Sequence, residues 1–302
     1  MFYHLNKDTC AYDGEGEGIA LLMEVCGIGD DISALPVLSE LCKTEKVTIY
    51  TRYFHAPIFK GLNAEIVKVS NKICENGEIF DTEWDEKIGK KRFKKFYKLT
   101  CWGGWQCDAQ GYYSSYPRDQ FSEIIHCNAD EDFDYKKYFG LEERIEKEHT
   151  VLAFESAEQW RSLYEEIAKK IFDTTPNCVW LTDGSKKYEH RSLMAKMETF
   201  EELLRLVYSA KKVISVDNGI SHLCAALEVP LKAYFGLTQH TFILDQYKKY
   251  NPELQYDVTQ GTSNECNAPC NRHPDRGMIG GLCSGKYRRA NCMTEQALSL
   301  TF

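Results

Sequence analysis

Residues 213–240, VISVDNGISHLCAALEVPLKAYFGLTQH, contain the pattern that decides the fold. The mostly apolar run at 213–216 predicts a buried strand, 217–219 a tight turn, and the residues after it a helix that ends before Pro230. Asp, Asn and Gly tolerate the backbone angles needed where a strand leads into a helix. The positive end of such a helix suits a phosphate, and His222 lies about one turn into it. The predicted anion site comprises Asp217, Asn218, Gly219 and His222.

The same stretch resembles the donor-site signature of a known family. The pattern V-D-N-G-I-S-H-L-C-A-A-L-x-x-P-x-x-x-x-F-G-x-T is similar to that of the heptosyltransferase-like glycosyltransferases of family 9. Those read D-[S/T]-G-x-x-H-L-x-A-A-L-x-x-P before a Gly-x-Thr turn. Asn218 stands where the family has Ser or Thr, which keeps a backbone amide for phosphate and removes a hydroxyl. The resemblance implies the GT-B architecture, an α/β fold in which two Rossmann-like domains face a cleft.

The beginning of the chain resembles a second motif of this family. A strand is predicted at 18–25, a glycine turn at 26–31, an amphipathic helix from Ile32, and a strand at 47–51. The turn lacks GxGxxG but fits the family's G-x-G-D-x-x-x-x-x-P. In that family the aspartate is the catalytic base, and the resemblance implies this role for Asp30.

Elementary chemistry leaves a second interpretation of this turn open. A carboxylate at a helix start can deprotonate an acceptor hydroxyl, but Asp30 or Asp31 can equally cap the helix. Asp31 remains either a cap or a supporting acid.

The second half of the chain alternates strands and helices. We predict strands at 151–156 and 177–184, helices at 157–172 and 188–195, and a further helix capped by Thr199. This alternation implies a parallel sheet with ligand sites at the carboxyl ends of its strands.

The resemblance also assigns residues that would bind an ADP-heptose donor. Glu189 is the positional match for a glutamate that binds the ribose, and Met197 falls where the adenine lies, although a methionine packs equally well in the interior. In the family, the loop after the first strand of this domain carries a lysine and hydroxyl groups for the donor phosphates. Here that loop has Ser156 but no lysine. Arg161, inside the predicted helix, is the candidate replacement.

Four cysteines close the chain in the spacing C-x3-C-x12-C-x8-C. Thiolates in two loose pairs suit a tetrahedral metal, zinc by default and iron as the alternative, in a structural site. Unpaired thiols or a disulfide are the competing interpretations. Some family members end in a similar segment, which Pro269-Cys270 and Cys292-Met293 resemble. The candidate ligands are Cys266, Cys270, Cys283 and Cys292. The resemblance implies no cofactor for catalysis, because the phosphate turn replaces a metal.

Composition and charge limit the other functions. A 302-residue chain that is 43% hydrophobic and 27% charged can form two modest domains, and its net charge of −8 argues against nonspecific nucleic-acid binding as the main activity. No apolar run of about 20 residues predicts a membrane span. The first residues lack the order of a secretory signal, so we expect a cytoplasmic protein. The basic block from Lys87 to Lys98 fits a phosphorylated acceptor, a membrane surface, nucleic acid or a solvated helix.

The sequence thus predicts an acceptor-side domain at 1–148, a donor-binding domain at 149–260, and a cysteine-rich tail with a closing helix at 261–302. The function implied is transfer of a sugar, a heptose by resemblance, from a nucleotide-sugar donor to a hydroxyl of a glycan or protein. One alternative is a catalytically degenerate GT-B protein that only binds nucleotide sugars, and another is a transferase acting on modified nucleic acid. An oligomer is compatible with either.

Overall fold

The computed structural model describes residues 10–23, 27–69, 92–98, 117–156, 161–182, 188–262, 268, 291–294 and 298–300. These residues form two β-sheets with helices packed against them, as the alternating pattern predicts.

The first sheet comes from the N-terminal half of the chain. Its strands are β1 (Cys10–Asp13), β2 (Ile19–Leu22), β3 (Val47–Arg52), β4 (Ala64–Val69) and β5 (Lys95–Lys98). The strand order is β1-β5-β2-β3-β4, with β1 antiparallel at one edge and the others parallel. All four residues of β2 are buried, as expected of a continuous apolar run inside a parallel sheet. The helices of this half are α1 (Ile28–Thr44), α2 (Pro117–Ile125) and α3 (Tyr135–Tyr138), with a 3-10 turn at Ala56–Phe59.

The second sheet is wholly parallel and comes from the C-terminal half. Its strands are β6 (Lys147–Ala153), β7 (Cys178–Leu181), β8 (Met194–Ala195), β9 (Ala210–Val216), β10 (Leu231–Phe235) and β11 (Tyr256–Gln260). They lie in the order β11-β10-β9-β6-β7-β8. The helices are α4 (Glu165–Thr174), α5 (Phe200–Tyr208), α6 (Gly219–Leu227) and α7 (Thr241–Leu244), with short 3-10 helices at Arg191–Leu193, Asp245–Lys249 and Asn291–Met293.

The helix predicted at 157–172 is wrong in its first part. The observed α-helix is α4; of the described residues before it, Arg161 belongs to a 3-10 turn and 162–164 are not helical. Leu163 is fully buried, its N–H donates to the Phe154 carbonyl, and its own carbonyl accepts from the Tyr188 hydroxyl at 2.7 Å. These contacts hold the backbone extended where local propensity favours a helix.

The helix predicted at 188–195 is also wrong. Arg191–Leu193 form only a 3-10 turn, and Met194–Ala195 form β8, which pairs in parallel with β7. The Glu165 carboxylate accepts from the N–H groups of Glu189 and His190, at 2.7 and 2.9 Å. These two hydrogen bonds hold the backbone at the start of the stretch in a non-helical conformation.

Part of the basic block Lys87–Lys98 belongs to the first sheet. Residues 87–91 lie outside the described residues, but β5 is a strand between β1 and β2, so a solvated helix is the wrong interpretation there. Phe93 and Tyr97 are buried, and Lys94 pairs with Glu45 at 2.6 Å. The aromatic residues of the described part therefore serve the core.

The largest core cluster draws residues from both halves of the chain, and α1 packs directly against α6. Within the described residues, no helix has both the length and the apolar character that crossing a membrane requires.

Candidate active site

Two helices begin face to face at the junction between the sheets. A Cβ added to Gly219, the first residue of α6, would lie 2.7 Å from Cβ of Ile28 at the start of α1. A Cβ on Gly29 would lie 2.5 Å from Cδ2 of His222. Only glycine lets the two helix starts approach this closely. Asp30 and the turn at 217–219 are thereby brought to one junction.

The start of α1 is capped by Asp30. Its Oδ2 accepts from the Gly27 N–H at 2.9 Å, and the side chain is partly buried. The cap that simple chemistry allows is therefore present. It also fixes the carboxylate at the junction, where the predicted base has to lie. The catalytic role of Asp30 stays a prediction.

Asp31 has a different environment from its neighbour. It is fully buried, and its Oδ2 contacts Nδ1 of His55, whose Nε2 lies 3.0 Å from Nη2 of Arg52. Because arginine only donates, Nε2 must accept, so His55 is neutral and its Nδ1–H donates to Asp31. Burial lowers the pKa of His55 well below its usual value and raises that of Asp31. The chain of contacts from Asp31 through His55 to Arg52 joins the first turn of α1 to the end of β3.

The Asn218 side chain makes five hydrogen bonds within the protein. Its Oδ1 accepts from the N–H groups of Ile220 and Ser221 and from Oγ of Ser215. Its Nδ2 donates to the carbonyls of Ala153 and Glu155, at 3.0 and 2.8 Å. The side chain thus ties α6 to the end of β6. Two N–H groups expected to point outward are capped, so Asn218 would serve a ligand only through its backbone.

Asp217 and Arg161 form an ion pair beside this turn. Asp217 is buried, and its Oδ1 lies 3.5 Å from Nη1 of Arg161. Arg161 lies in a 3-10 turn and not in the predicted α-helix, because α4 begins four residues later. This turn brings its guanidinium to the carboxyl end of β9. A cation is therefore present where the loop has no lysine.

His222 is buried and neutral. Its Nδ1 lies 2.9 Å from the Tyr247 hydroxyl and 3.3 Å from Oγ of Ser33. Burial, with the charge of Arg161 adding to it, lowers the pKa of His222 to about 3. At neutral pH the imidazole can therefore meet an anion only as a hydrogen-bond donor.

Sequence reasoning did not select Ser33 or Tyr247. Ser33 lies one turn after Gly29, inside the N-terminal motif, and that position was the only available signal. Tyr247 follows the signature of the second half in a segment without a motif, and nothing local distinguishes it from the tyrosine at 250.

The other predicted donor contacts lie around the carboxyl edge of the second sheet. Ser156 is buried after β6 and its N–H donates to Oγ of Ser162 at 3.0 Å. Glu189 is exposed, whereas Met197 is partly buried and packs against the core. Thr238, after β10 and outside the predicted set, is also buried, and its hydroxyl has no hydrogen-bond partner among the described residues. These residues lie around the carboxyl edge of the second sheet, and their role in ligand binding stays a prediction.

Most of the predicted metal site lies outside the described residues. Cys266, Cys270 and Cys283 cannot be placed, while Cys292 is buried, with its Sγ 2.8 Å from where a Cβ on Gly236 would lie. The described part of the chain contains no group of three or more metal-ligating side chains. The metal site stays a prediction.

Comparison with known families identifies the second half of the chain. Residues 132–275 match the model of glycosyltransferase family 9 (heptosyltransferase). These residues are therefore similar to glycosyltransferase family 9. The match confirms the resemblance inferred from residues 213–240 and spans every strand of the second sheet. No curated protein sequence matches the chain.

A solved structure shows the same fold. E. coli heptosyltransferase WaaC with ADP has a TM-score of 0.52 at 14% identity, over 84% of this chain and 94% of that one. This likeness confirms the predicted GT-B fold. Glycosyltransferase family 9 from Veillonella parvula DSM 2008 has a TM-score of 0.46 at 12% identity, over 96% and 98%. The iron-containing dodecameric glycosyltransferase TibC from enterotoxigenic E. coli H10407 has a TM-score of 0.49 at 10% identity, over 85% and 65%.

The family match indicates the class of reaction. The protein is a glycosyltransferase, and its family and fold support transfer of a sugar from a nucleotide-sugar donor.

Proposed function

We propose that this protein transfers a heptose from ADP-heptose to a hydroxyl group of a glycan or protein acceptor, in the cytoplasm. The observation that carries the proposal is the junction of α1 and α6, and α6 lies within the residues that match the model of glycosyltransferase family 9. Asp30 lies on one side of this junction and the turn Asp217–Gly219 with His222 on the other.

Asp30 acts as the base in this proposal. Its carboxylate, held by the Gly27 N–H, takes the proton of the acceptor hydroxyl as that oxygen bonds to the anomeric carbon of the sugar. The bond from the anomeric carbon to the diphosphate oxygen breaks, and the nucleotide diphosphate leaves. No metal takes part, because the protein supplies the groups that stabilise the developing negative charge.

Arg161 supplies the cation for the diphosphate in this proposal. Its guanidinium lies beside the turn at the end of β9, so it can exchange the long 3.5 Å contact with Asp217 for a phosphate oxygen. Backbone N–H groups of the turn and the imidazole N–H of His222 complete the phosphate site, with Ser156 nearby. Glu189 binds the ribose, and Met197 contacts the adenine.

The test is calorimetry with a panel of nucleotide sugars, with ADP-heptose and ADP among them. We expect ADP-heptose to bind, and Arg161→Gln to weaken its binding about tenfold through loss of a charged hydrogen bond. Arg205→Gln is the matched control, because Arg205 is exposed on α5. Absence of binding by every nucleotide sugar would refute the proposed donor.

A second candidate function is supported by the same ion pair. If Arg161 stays on Asp217, the loop 154–161 has no other Lys or Arg for the diphosphate, and the protein would bind a donor without turnover. Release of ADP from ADP-heptose, followed with a panel of glycan and protein acceptors, separates the two. Binding without ADP release would favour the non-catalytic protein.

We also propose a structural zinc or iron ion in the tail, held by Cys266, Cys270, Cys283 and Cys292. The spacing and the burial of Cys292 against the end of β10 support it. Metal analysis of the purified protein beside a Cys270→Ser, Cys283→Ser variant tests it. Equal metal content in the two proteins would exclude this site.

A further inference from the structure

Three polar side chains from distant parts of the chain meet behind the junction. Ser33 on α1, His222 on α6 and Tyr247 on a 3-10 helix are all buried, with exposures of 0%, 6% and 1%. The Tyr247 hydroxyl lies 2.9 Å from Nδ1 of His222 and 3.1 Å from Oγ of Ser33. Because the cluster is closed to water, its few hydrogen atoms decide what His222 presents to a ligand.

The cluster admits two directions of hydrogen bonding. In the first, Nδ1–H of His222 donates to Tyr247, which donates to Ser33, which donates to the Gly29 carbonyl at 2.7 Å. In the second, Tyr247 donates to Nδ1, and Ser33 donates to Tyr247 or to Gly29. A hydroxyl can donate or accept, so the contact between Tyr247 and His222 persists in both.

The two directions differ in what they leave on the other ring nitrogen. A neutral imidazole carries one N–H, so the first direction leaves Nε2 with a bare lone pair and the second leaves it with the proton. Nε2 belongs to the ring edge that lies over Gly29, and no described residue hydrogen-bonds to it. Only the second direction offers a donor to an anion at the junction.

We propose that Tyr247 is a positioning residue for the nucleotide diphosphate: its hydroxyl donates to Nδ1 of His222 and so keeps the imidazole proton on Nε2, directed at the anion. The inference rests on the proposed function, because it takes the diphosphate to lie at the junction. A backbone carbonyl in place of Tyr247 would hold the proton on Nδ1. A phenylalanine at position 247 would offer no hydrogen bond that selects one nitrogen for the proton.

The direct test is the tautomer of His222. Nitrogen-15 NMR of histidine-labelled protein distinguishes the two tautomers, and His222→Gln identifies the signals of this ring among the eight histidines. We expect wild-type protein with bound ADP to carry the proton on Nε2. A proton on Nδ1 in the ADP complex would overturn the inference.

Affinity for ADP provides the second readout. We expect Tyr247→Phe to bind ADP about tenfold more weakly and to lose the single Nε2–H tautomer, since a hydrogen bond to a charged group is at stake. Tyr250→Phe is the matched control, a nearby phenol that packs against Phe133 and Tyr135, and it should keep both wild-type properties.

The outcomes separate the inference from the proposed function. If wild-type protein binds neither ADP nor ADP-heptose, the proposed function falls and takes the inference with it. If wild-type protein binds ADP and Tyr247→Phe binds it equally well with the same tautomer, only the inference falls. Should Tyr247→Phe fail to fold, the tautomer in the wild-type ADP complex still decides.

Discussion

The starts of α1 and α6 face each other, but they are stabilised in different ways. At α6 the Asn218 side chain makes five hydrogen bonds and joins the helix to two carbonyls at the end of β6. At α1 the N-cap is a glycine, and Asp30 reaches back to its N–H with one oxygen. The Asn218 side chain therefore joins α6 to the second sheet, whereas the Asp30 carboxylate is held at the start of its own helix. Mutations at the two starts should therefore affect different properties.

The largest effect should be that of Asp30→Asn on transfer. Asparagine retains an oxygen for the Gly27 N–H but is not a base, so we expect kcat to fall about 10³-fold with ADP binding unchanged. Steady-state release of ADP and calorimetry measure the two properties, and Glu40→Gln on the same helix is the control. Wild-type turnover in Asp30→Asn would remove this residue from the chemistry.

Asn218→Ala should mainly destabilise the protein. Loss of the helix cap and of two donors to buried carbonyls should lower the free energy of unfolding by about 3 kcal/mol. Asn218→Asp keeps the cap but turns an acceptor oxygen toward the two carbonyls, so it should also be less stable than wild type. Urea denaturation of the three proteins measures both losses, and equal stability of all three would contradict the structural role.

The acid stability of the protein should depend on His222. Its folded pKa of about 3 lies below the unfolded value, so the unfolded state takes up the proton first and stability falls as the pH falls below about 6.5. Between pH 7 and pH 5 this group should remove about 2 kcal/mol. Denaturation of wild type and His222→Gln at both pH values measures it. An identical pH dependence in the two would contradict burial of a neutral imidazole.

The smallest effect, and a test of the junction itself, should be that of Gly219→Ala. Alanine favours a helix by about 1 kcal/mol, but its Cβ would lie 2.7 Å from that of Ile28, and such overpacking costs about 1–3 kcal/mol. We expect a net loss of about 1 kcal/mol in urea denaturation. A more stable variant would show that the helix starts do not touch in solution.

Local patterns predicted the elements whose stabilising contacts are local. Residues 213–235 form the predicted strand, helix and strand, and Thr199 caps α5 together with Glu202. The predictions failed at 157–172 and 188–195. There, Tyr188 and Glu165 hold the backbone from across the fold, so propensity alone points to helices that do not form.

The sequence by itself determined the resemblance to glycosyltransferase family 9 and the residues at the two helix starts, because each motif is contiguous and turn chemistry depends on neighbouring residues. Only the tertiary structure brought Arg161 to Asp217 and Tyr247 to His222 and Ser33. Ser33 and Tyr247 are 214 positions apart, and no local sequence pattern predicts a contact between them. Burial then made His222 neutral, since the dielectric around a side chain is set by everything that packs on it.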